Sequence, residues 1–185
     1  MTDQAHFDLT QARSPHSTAN KVGRVLWAIA WALLFRPSPR LCYGWRRMLL
    51  RLFGARIGRG VRVDNTVRIW APWNLRICDY SAIGHSVDCY CLAPITIGRH
   101  SIVSQYCFLC TGSHDYTQPH FPVCSAPIEI GDGVWVAADV FVGPGVTIGD
   151  GAVVGARSSV FKAVKPGTVV AGNPARFIRQ RQPAK

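Results

Sequence analysis

Residues 130–164 read IGDGVWVAADVFVGPGVTIGDGAVVGARSSVFKAV, and the spacing within them decides the fold. Ile130, Val136, Val142, Ile148, Val154 and Val160 recur every six residues. The following residue is small in five of the six units (Gly131, Ala137, Gly143, Gly149 and Gly155), with Phe161 the exception. Four residues after each aliphatic stands Val134, Val140, Val146, Ala152, Ser158 or Val164. Such phasing arises by chance on the order of once in tens of thousands of sequences. An amphipathic helix would place apolar residues at i, i+3, i+4 and i+7, which strict sixes do not. A six-residue unit instead suits one short strand and a corner, three units closing one triangular turn of a parallel β-helix. The aliphatic residue points into the prism. The glycine after it is expected to take corner dihedrals that a Cβ would oppose. Like residues then stack from coil to coil about 4.8 Å apart.

The same phase extends upstream. Ile57-Gly58, Val63-Asp64, Ile69-Trp70 and Leu75 form a first run, which shifts by two residues at Ile77-Cys78. Ile83-Gly84 and Cys89-Tyr90 continue it, and a second shift leads to Ile97-Gly98, Val103-Ser104 and Leu109-Cys110. Residues 93–98 (APITIG) and 126–131 (APIEIG) are copies of one corner. The reading is an all-β solenoid over residues 56–171, with about five coils at about 18 residues per turn. Residues 111–125, TGSHDYTQPHFPVCS, have no sixfold phase and are expected to be extruded as a loop, where function tends to sit on a rigid scaffold.

Before the coils, residues 1–20 are polar and aperiodic, and residues 21–55 read as a helical region. Val25–Phe35 is an apolar run broken by Pro37 and Pro39, and Leu41–Phe53 follows, rich in Leu, aromatics and Arg. The first run is too short to span a bilayer. Trp and Arg at helix ends suit a membrane surface, and the same helices suit the capping role that an open solenoid end requires. Lys21 to Arg68 holds eleven Lys or Arg against one acid, Asp64, which favours an anionic surface. Residues 172–185 form a Gly-Asn-Pro turn and a basic tail.

The chain of 185 residues carries a formal charge of +11, which points to an acidic partner. Nucleic acid is not expected, because no reader motif or aromatic platform accompanies the basic residues. Of seven cysteines, Cys107 and Cys110 form a lone CxxC without the second pair that a zinc site needs, so no metal is expected. Cys89 and Cys107 occupy core or corner phases. Free thiols and the lack of a leader segment favour the cytoplasm.

Four stretches resemble the hexapeptide-repeat acyltransferase superfamily, in the branch of small O-acetyltransferases that serve bacterial exopolysaccharide assembly, such as colanic acid biosynthesis. They are LLRLFG at 49–54, CTGSHD at 110–115, GPGVTIGDGAVVGARSSVFK at 143–162, and Gly172-Asn173-Pro174. The resemblance implies a left-handed β-helix, a homotrimer, and acetyl-CoA bound between neighbouring subunits. It places the catalytic histidine at His114. An imidazole titrating near neutrality suits removal of a sugar hydroxyl proton during attack on a thioester. Asp115 is open between orienting that ring and serving its own turn. Asp88 and Tyr90 stand where related enzymes line the acceptor pocket, with a corner aspartate bonded to its own backbone as the plain alternative. For the acetyl-CoA co-substrate, the resemblance points to Ala138 and Ala156 along pantetheine, Lys162, Arg176 and Arg179 toward the phosphates, and Asn173 in the terminal turn. Phe161 departs from the family's pattern. His85, His100 and His120 read as surface residues.

Other acceptors, a free small sugar or an antibiotic, fit the same residues; the N-terminal helices favour a lipid-linked or polymeric saccharide. A zinc hydratase on the same fold would need three histidines, for which His85, His114 and His120 are the candidates, to converge across a subunit interface. A non-catalytic scaffold would have no use for His114.

Overall fold

The computed structural model describes residues 15–182. Most of the polar segment expected over residues 1–20, and the last three residues of the basic tail, lie outside them.

Short parallel strands build three faces of a left-handed β-helix. The first face stacks Arg56–Ile57, Leu75–Ile77, Ile95–Ile97, Ile128–Ile130 and Thr147–Ile148. The second stacks Arg62–Val63, Ala82–Ile83, Ile102–Val103, Trp135–Val136, Val153–Val154 and Thr168–Ala171, and is closed by the antiparallel strand Arg176–Gln180. The third stacks Arg68–Ile69, Asp88–Tyr90, Phe108–Cys110, Phe141–Val142 and Ser159–Val160. Partners fall in the hexapeptide register: Ile130 pairs with Ile148, Val136 with Val154 and Val142 with Val160. The in-phase aliphatics form the buried interior, joined by Cys89 and Cys107. The Cys107 thiol donates to the Ala137 carbonyl at 3.0 Å, so it packs as a small core residue.

The corners correct one expectation. The glycine directly after each aliphatic is not where the backbone turns left-handed. Positive φ falls three residues after the aliphatic, at Gly60, Tyr80, Ser86, His100, Tyr106, Gly133, Asp139, Gly145, Gly151 and Arg157. The first-position glycine is required for a different reason, the approach of the next coil. A Cβ on Gly149 would lie 2.6 Å from the Pro166 nitrogen, and one on Gly155 would lie 2.8 Å from the Ala171 Cβ. Close stacking rather than dihedral freedom selects the small residue there.

Two helices close the N-terminal end. The first, Thr18–Ala30, continues through a wider turn, Trp31–Phe35; its N-cap Ser17 accepts from the Asn20 backbone N–H at 3.2 Å. The second is Tyr43–Leu52, beyond a turn containing Pro37 and Pro39. The first coil is an edge, with carbonyls that no further coil can satisfy. Side chains from the helices take that place. The indoles of Trp27 and Trp31 donate to the carbonyls of Ile69 and Val67 at 2.7 and 2.8 Å. Arg46 donates to Val63 O at 2.7 Å, Arg47 to Val61 O at 2.9 Å, and Arg51 to Ile57 O at 2.6 Å. The Trp- and Arg-rich composition of the helices therefore serves the cap directly.

Candidate functional site

The segment expected as a loop over 111–125 is a β-hairpin at its base. Gly112–His114 pairs antiparallel with Val123–Ser125, and His114 lies opposite Val123. Its root is fixed by buried Thr111, whose hydroxyl donates to Tyr90 O at 2.9 Å and accepts from the Ala93 N–H at 3.0 Å. Thr111 O also receives the Ala126 N–H at 3.0 Å, so both legs of the hairpin join one anchor.

His114 is exposed, and its Nδ1 lies 2.7 Å from the Phe121 carbonyl oxygen. A carbonyl only accepts, so Nδ1 carries the proton and Nε2 presents a lone pair. The orienting partner is thus a backbone carbonyl across the hairpin, not the adjacent Asp115. Asp115 organises the hairpin tip: its carboxylate accepts from Thr117 N and Oγ1 at 3.0 and 2.6 Å and from Gln118 Nε2 at 2.9 Å. Those bonds, led by the Thr117 hydroxyl, hold its pKa below the usual carboxylate range. Phe121 gave no signal in the sequence, because the contact uses its main chain.

Next to the hairpin root, the first helix and the third face enclose a cleft of about 550 Å³. Its lining includes Lys21, Arg24, Trp31, Arg68, Trp70, Asp88 and Tyr90. Asp88 and Tyr90 therefore share one cavity. Tyr90 also reaches the hairpin, since a Cβ added to Gly112 would lie 3.0 Å from its ring. Asp88 is half-buried, and among the described residues no donor hydrogen-bonds its carboxylate, so the corner-aspartate alternative is not what the structure places there. Burial raises its pKa, with Arg68 opposing the shift. Arg24 lies 4.2 Å over the Trp70 ring and donates to Asn20 Oδ1 at 3.1 Å. A polar-edged aromatic cavity of this kind can stack a sugar ring and hydrogen-bond its hydroxyls. The helical contributors, Lys21, Arg24 and Trp31, were not singled out from the sequence; their distance along the chain from Asp88 hid the association.

An aromatic ladder runs from this cleft along the third face. Trp70, Tyr90, Phe108, Phe141 and Phe161 follow one another at centroid separations of 5.7, 6.2, 5.7 and 5.6 Å. At its far end a second cleft of about 490 Å³ is lined by Phe161, Lys162, Lys165, Pro174, Arg176 and neighbouring residues. Lys162 and Arg176 are thus together, and Asn173 stands beside them in the turn before Pro174. Arg179 is not in the lining; it pairs with Val169 on the terminal strand, and Gln180 faces the cleft instead. Ala138 and Ala156 lie away from this cleft on one corner between the second and third faces, linked by Arg157 N donating to Ala138 O at 2.9 Å. Among the described residues no three His, Cys, Asp or Glu side chains come together as a metal site, so His85, His114 and His120 do not converge within one chain.

Residues 127–162 match the family model for bacterial transferase hexapeptide (six repeats). The chain is 52% identical over 162 residues to an Escherichia coli K12 protein described as a putative colanic acid biosynthesis acetyltransferase, WcaF, covering 88% of this chain and 89% of that one. Among solved structures, it is similar to a hexapeptide-repeat-containing acetyltransferase of Vibrio cholerae O1 biovar eltor complexed with acetyl coenzyme A. That match has a TM-score of 0.83 and 29% identity and covers 92% and 93% of the two chains. A maltose O-acetyltransferase from Clostridium difficile 630 matches with a TM-score of 0.81 and 26% identity over 90% of each chain.

Proposed function

This chain belongs to the bacterial hexapeptide-repeat acetyltransferases, and on that premise we propose that it moves an acetyl group from acetyl-CoA to a saccharide hydroxyl in exopolysaccharide assembly, with His114 as general base. The observation that carries the reading is the 2.7 Å bond from His114 Nδ1 to Phe121 O, which leaves Nε2 free on an exposed, firmly rooted hairpin. Nε2 takes the hydroxyl proton as the oxygen attacks the thioester carbonyl carbon. The new C–O bond forms, the C–S bond breaks, and the imidazolium returns its proton to the departing thiolate. The Nδ1–H bond to the carbonyl strengthens when the ring is charged, so the same contact stabilises the protonated base. No acyl-enzyme is required.

The acceptor is assigned to the cleft at Asp88, Tyr90, Trp70 and Trp31, beside the hairpin root. The second cleft, with Lys162 and Arg176, is assigned to phosphates of the donor, and Ala138 and Ala156 to the pantetheine path. A homotrimer would bring one subunit's hairpin against its neighbour's late coils and complete the donor groove. A cytoplasmic setting agrees with seven cysteines of which none is disulfide-bonded. The test is thiol release from acetyl-CoA with a saccharide panel: it should require an acceptor and His114, and acceptor-independent release unchanged in His114→Ala would refute the assignment.

A further inference from the structure

The helical cap has a second apolar side. In the first helix, Trp27 and Ala30 face the β-helix, while Val22, Leu26 and Ile29 point outward at i, i+4 and i+7, Leu33 extends the stripe, and Val25 stands where the stripe meets the Asp88 cleft. In the second helix, Leu49, Leu50 and Arg46 face inward, while Trp45, Met48 and Leu52 lie outward at i, i+3 and i+7. Leu33, Leu41 and Leu52 are 68%, 84% and 71% exposed. The two stripes adjoin, because the Trp45 indole donates to Leu34 O at 2.9 Å and lies against the first helix. Surface helices normally turn charged residues to water, and a contiguous apolar face of this kind marks a contact surface.

The charge around it selects the occupant. Residues 15–63 contain ten Lys or Arg and no Asp or Glu. Arg46, Arg47 and Arg51 are spent on first-coil carbonyls, but Lys21, Arg36 and Arg40 stand at the helix ends and Arg56, Arg59 and Arg62 are exposed on the first coil. Two copies meeting through this face would bring like charges together, since the nearby carboxylates are already engaged, Asp64 by Thr66 and Asp79 by Arg59. An anionic lipid surface supplies apolar depth for the stripe and negative headgroups for the rim. Among the described residues no helix is long and apolar enough to cross a membrane, so the helices would lie in the interface plane.

We propose that the outward face of the two N-terminal helices docks the enzyme on an anionic bilayer. Because Lys21, Arg24 and Trp31 of the first helix also wall the Asp88 cleft, docking sets that cleft near headgroup level, within reach of a lipid-linked saccharide. Only this last consequence rests on the acetyl-transfer reading; the docking itself does not.

The test is co-sedimentation of the full chain with phosphatidylcholine vesicles with or without 30% phosphatidylglycerol, at low and high salt. The wild type should pellet with the anionic vesicles and be released by salt. The triple variant Leu26→Ser, Ile29→Ser, Leu33→Ser should lose at least tenfold in vesicle affinity while keeping its mass by light scattering and its turnover of a soluble saccharide. Absence of wild-type binding would overturn the proposal, as would binding indifferent to phosphatidylglycerol and salt. A change of oligomeric mass in the variant would also overturn it, by assigning the face to a subunit contact. Absence of turnover in both proteins, with vesicle binding kept by the wild type and lost by the variant, would refute acetyl transfer and leave docking standing.

Discussion

Replacing Arg46 with methionine tests how the solenoid end is closed. The guanidinium is fully buried and makes four hydrogen bonds: to Val63 O at 2.7 Å, Ser38 Oγ at 2.9 Å, Pro39 O at 2.9 Å and Arg40 O at 2.6 Å. Its ring neighbour Tyr43 lies 4.9 Å away, and Asp64 favours its charge electrostatically without forming a salt bridge. Methionine keeps much of the volume and removes every donor. Pro39 and Arg40 are exposed enough for water to reach their carbonyls, whereas Val63 and Ser38 are buried. Val63 O is then left unpaired, at about 1–3 kcal/mol, and Ser38 Oγ keeps its bond to Phe35 O but loses its donor, at about 1 kcal/mol. Relief of the buried charge offsets part of that cost. The expected net loss is about 3 kcal/mol. Arg47→Met removes a single bond from a half-buried side chain and should lose about 1 kcal/mol. Urea denaturation followed by tryptophan fluorescence measures both, at one fixed protein concentration so that any subunit association contributes equally. A loss below about 1 kcal/mol for Arg46→Met, or no difference between the two variants, would refute the view that these arginines substitute for a missing coil.

Other substitutions probe the interior and the clefts. Asp88→Asn should lower acceptor turnover while leaving thermal stability equal or higher at neutral pH. The folded pKa of Asp88 is raised by burial, so ionisation opposes folding above that pKa and the opposition disappears as pH falls through it; a lower melting temperature for the variant at pH 7 would contradict this. Lys162→Ala with Arg176→Ala should raise the KM for acetyl-CoA about tenfold with little change in kcat, since charge-assisted phosphate contacts act on donor binding; an unchanged KM would remove the second cleft from the donor site. Gly155→Ala should destabilise the late coils by about 1–3 kcal/mol, because the added methyl meets Ala171 at 2.8 Å in a packed stack. Wild-type stability for that variant in denaturant titration would show that the coils can spread.

The β-helix was legible because its rule is local and repeated: an inward aliphatic every six residues leaves little choice of architecture. The corners were read less well, since sequence spacing marks where small residues stand but not which atom crowds them. Gly149 and Gly155 answer to Pro166 and Ala171 in the following coil. As a candidate, His114 was legible from the interruption of the phase and its resemblance to a family motif. Its partner was not, because the Phe121 contact is made by main chain that any residue can supply. The Asp88 cleft shows the same limit over a longer reach: Lys21, Arg24 and Trp31 enter it only because the helices fold back over the first coils. Arg179 was expected beside Lys162 and Arg176 from the resemblance, and the terminal strand, whose register shifts between Val169 and Val170, turns Gln180 into the second cleft instead.

The most direct measurement of the central claim is thiol release from acetyl-CoA by wild type, His114→Ala and Asp115→Asn, with saccharide acceptors present and absent. The account predicts acceptor-dependent release by the wild type and a loss of about 10²–10⁴-fold in His114→Ala at unchanged oligomeric mass. Asp115→Asn, which disturbs only the hairpin tip, should lose far less. Equal losses at both positions, or acceptor-dependent release that survives without His114, would contradict a base held by the Phe121 carbonyl.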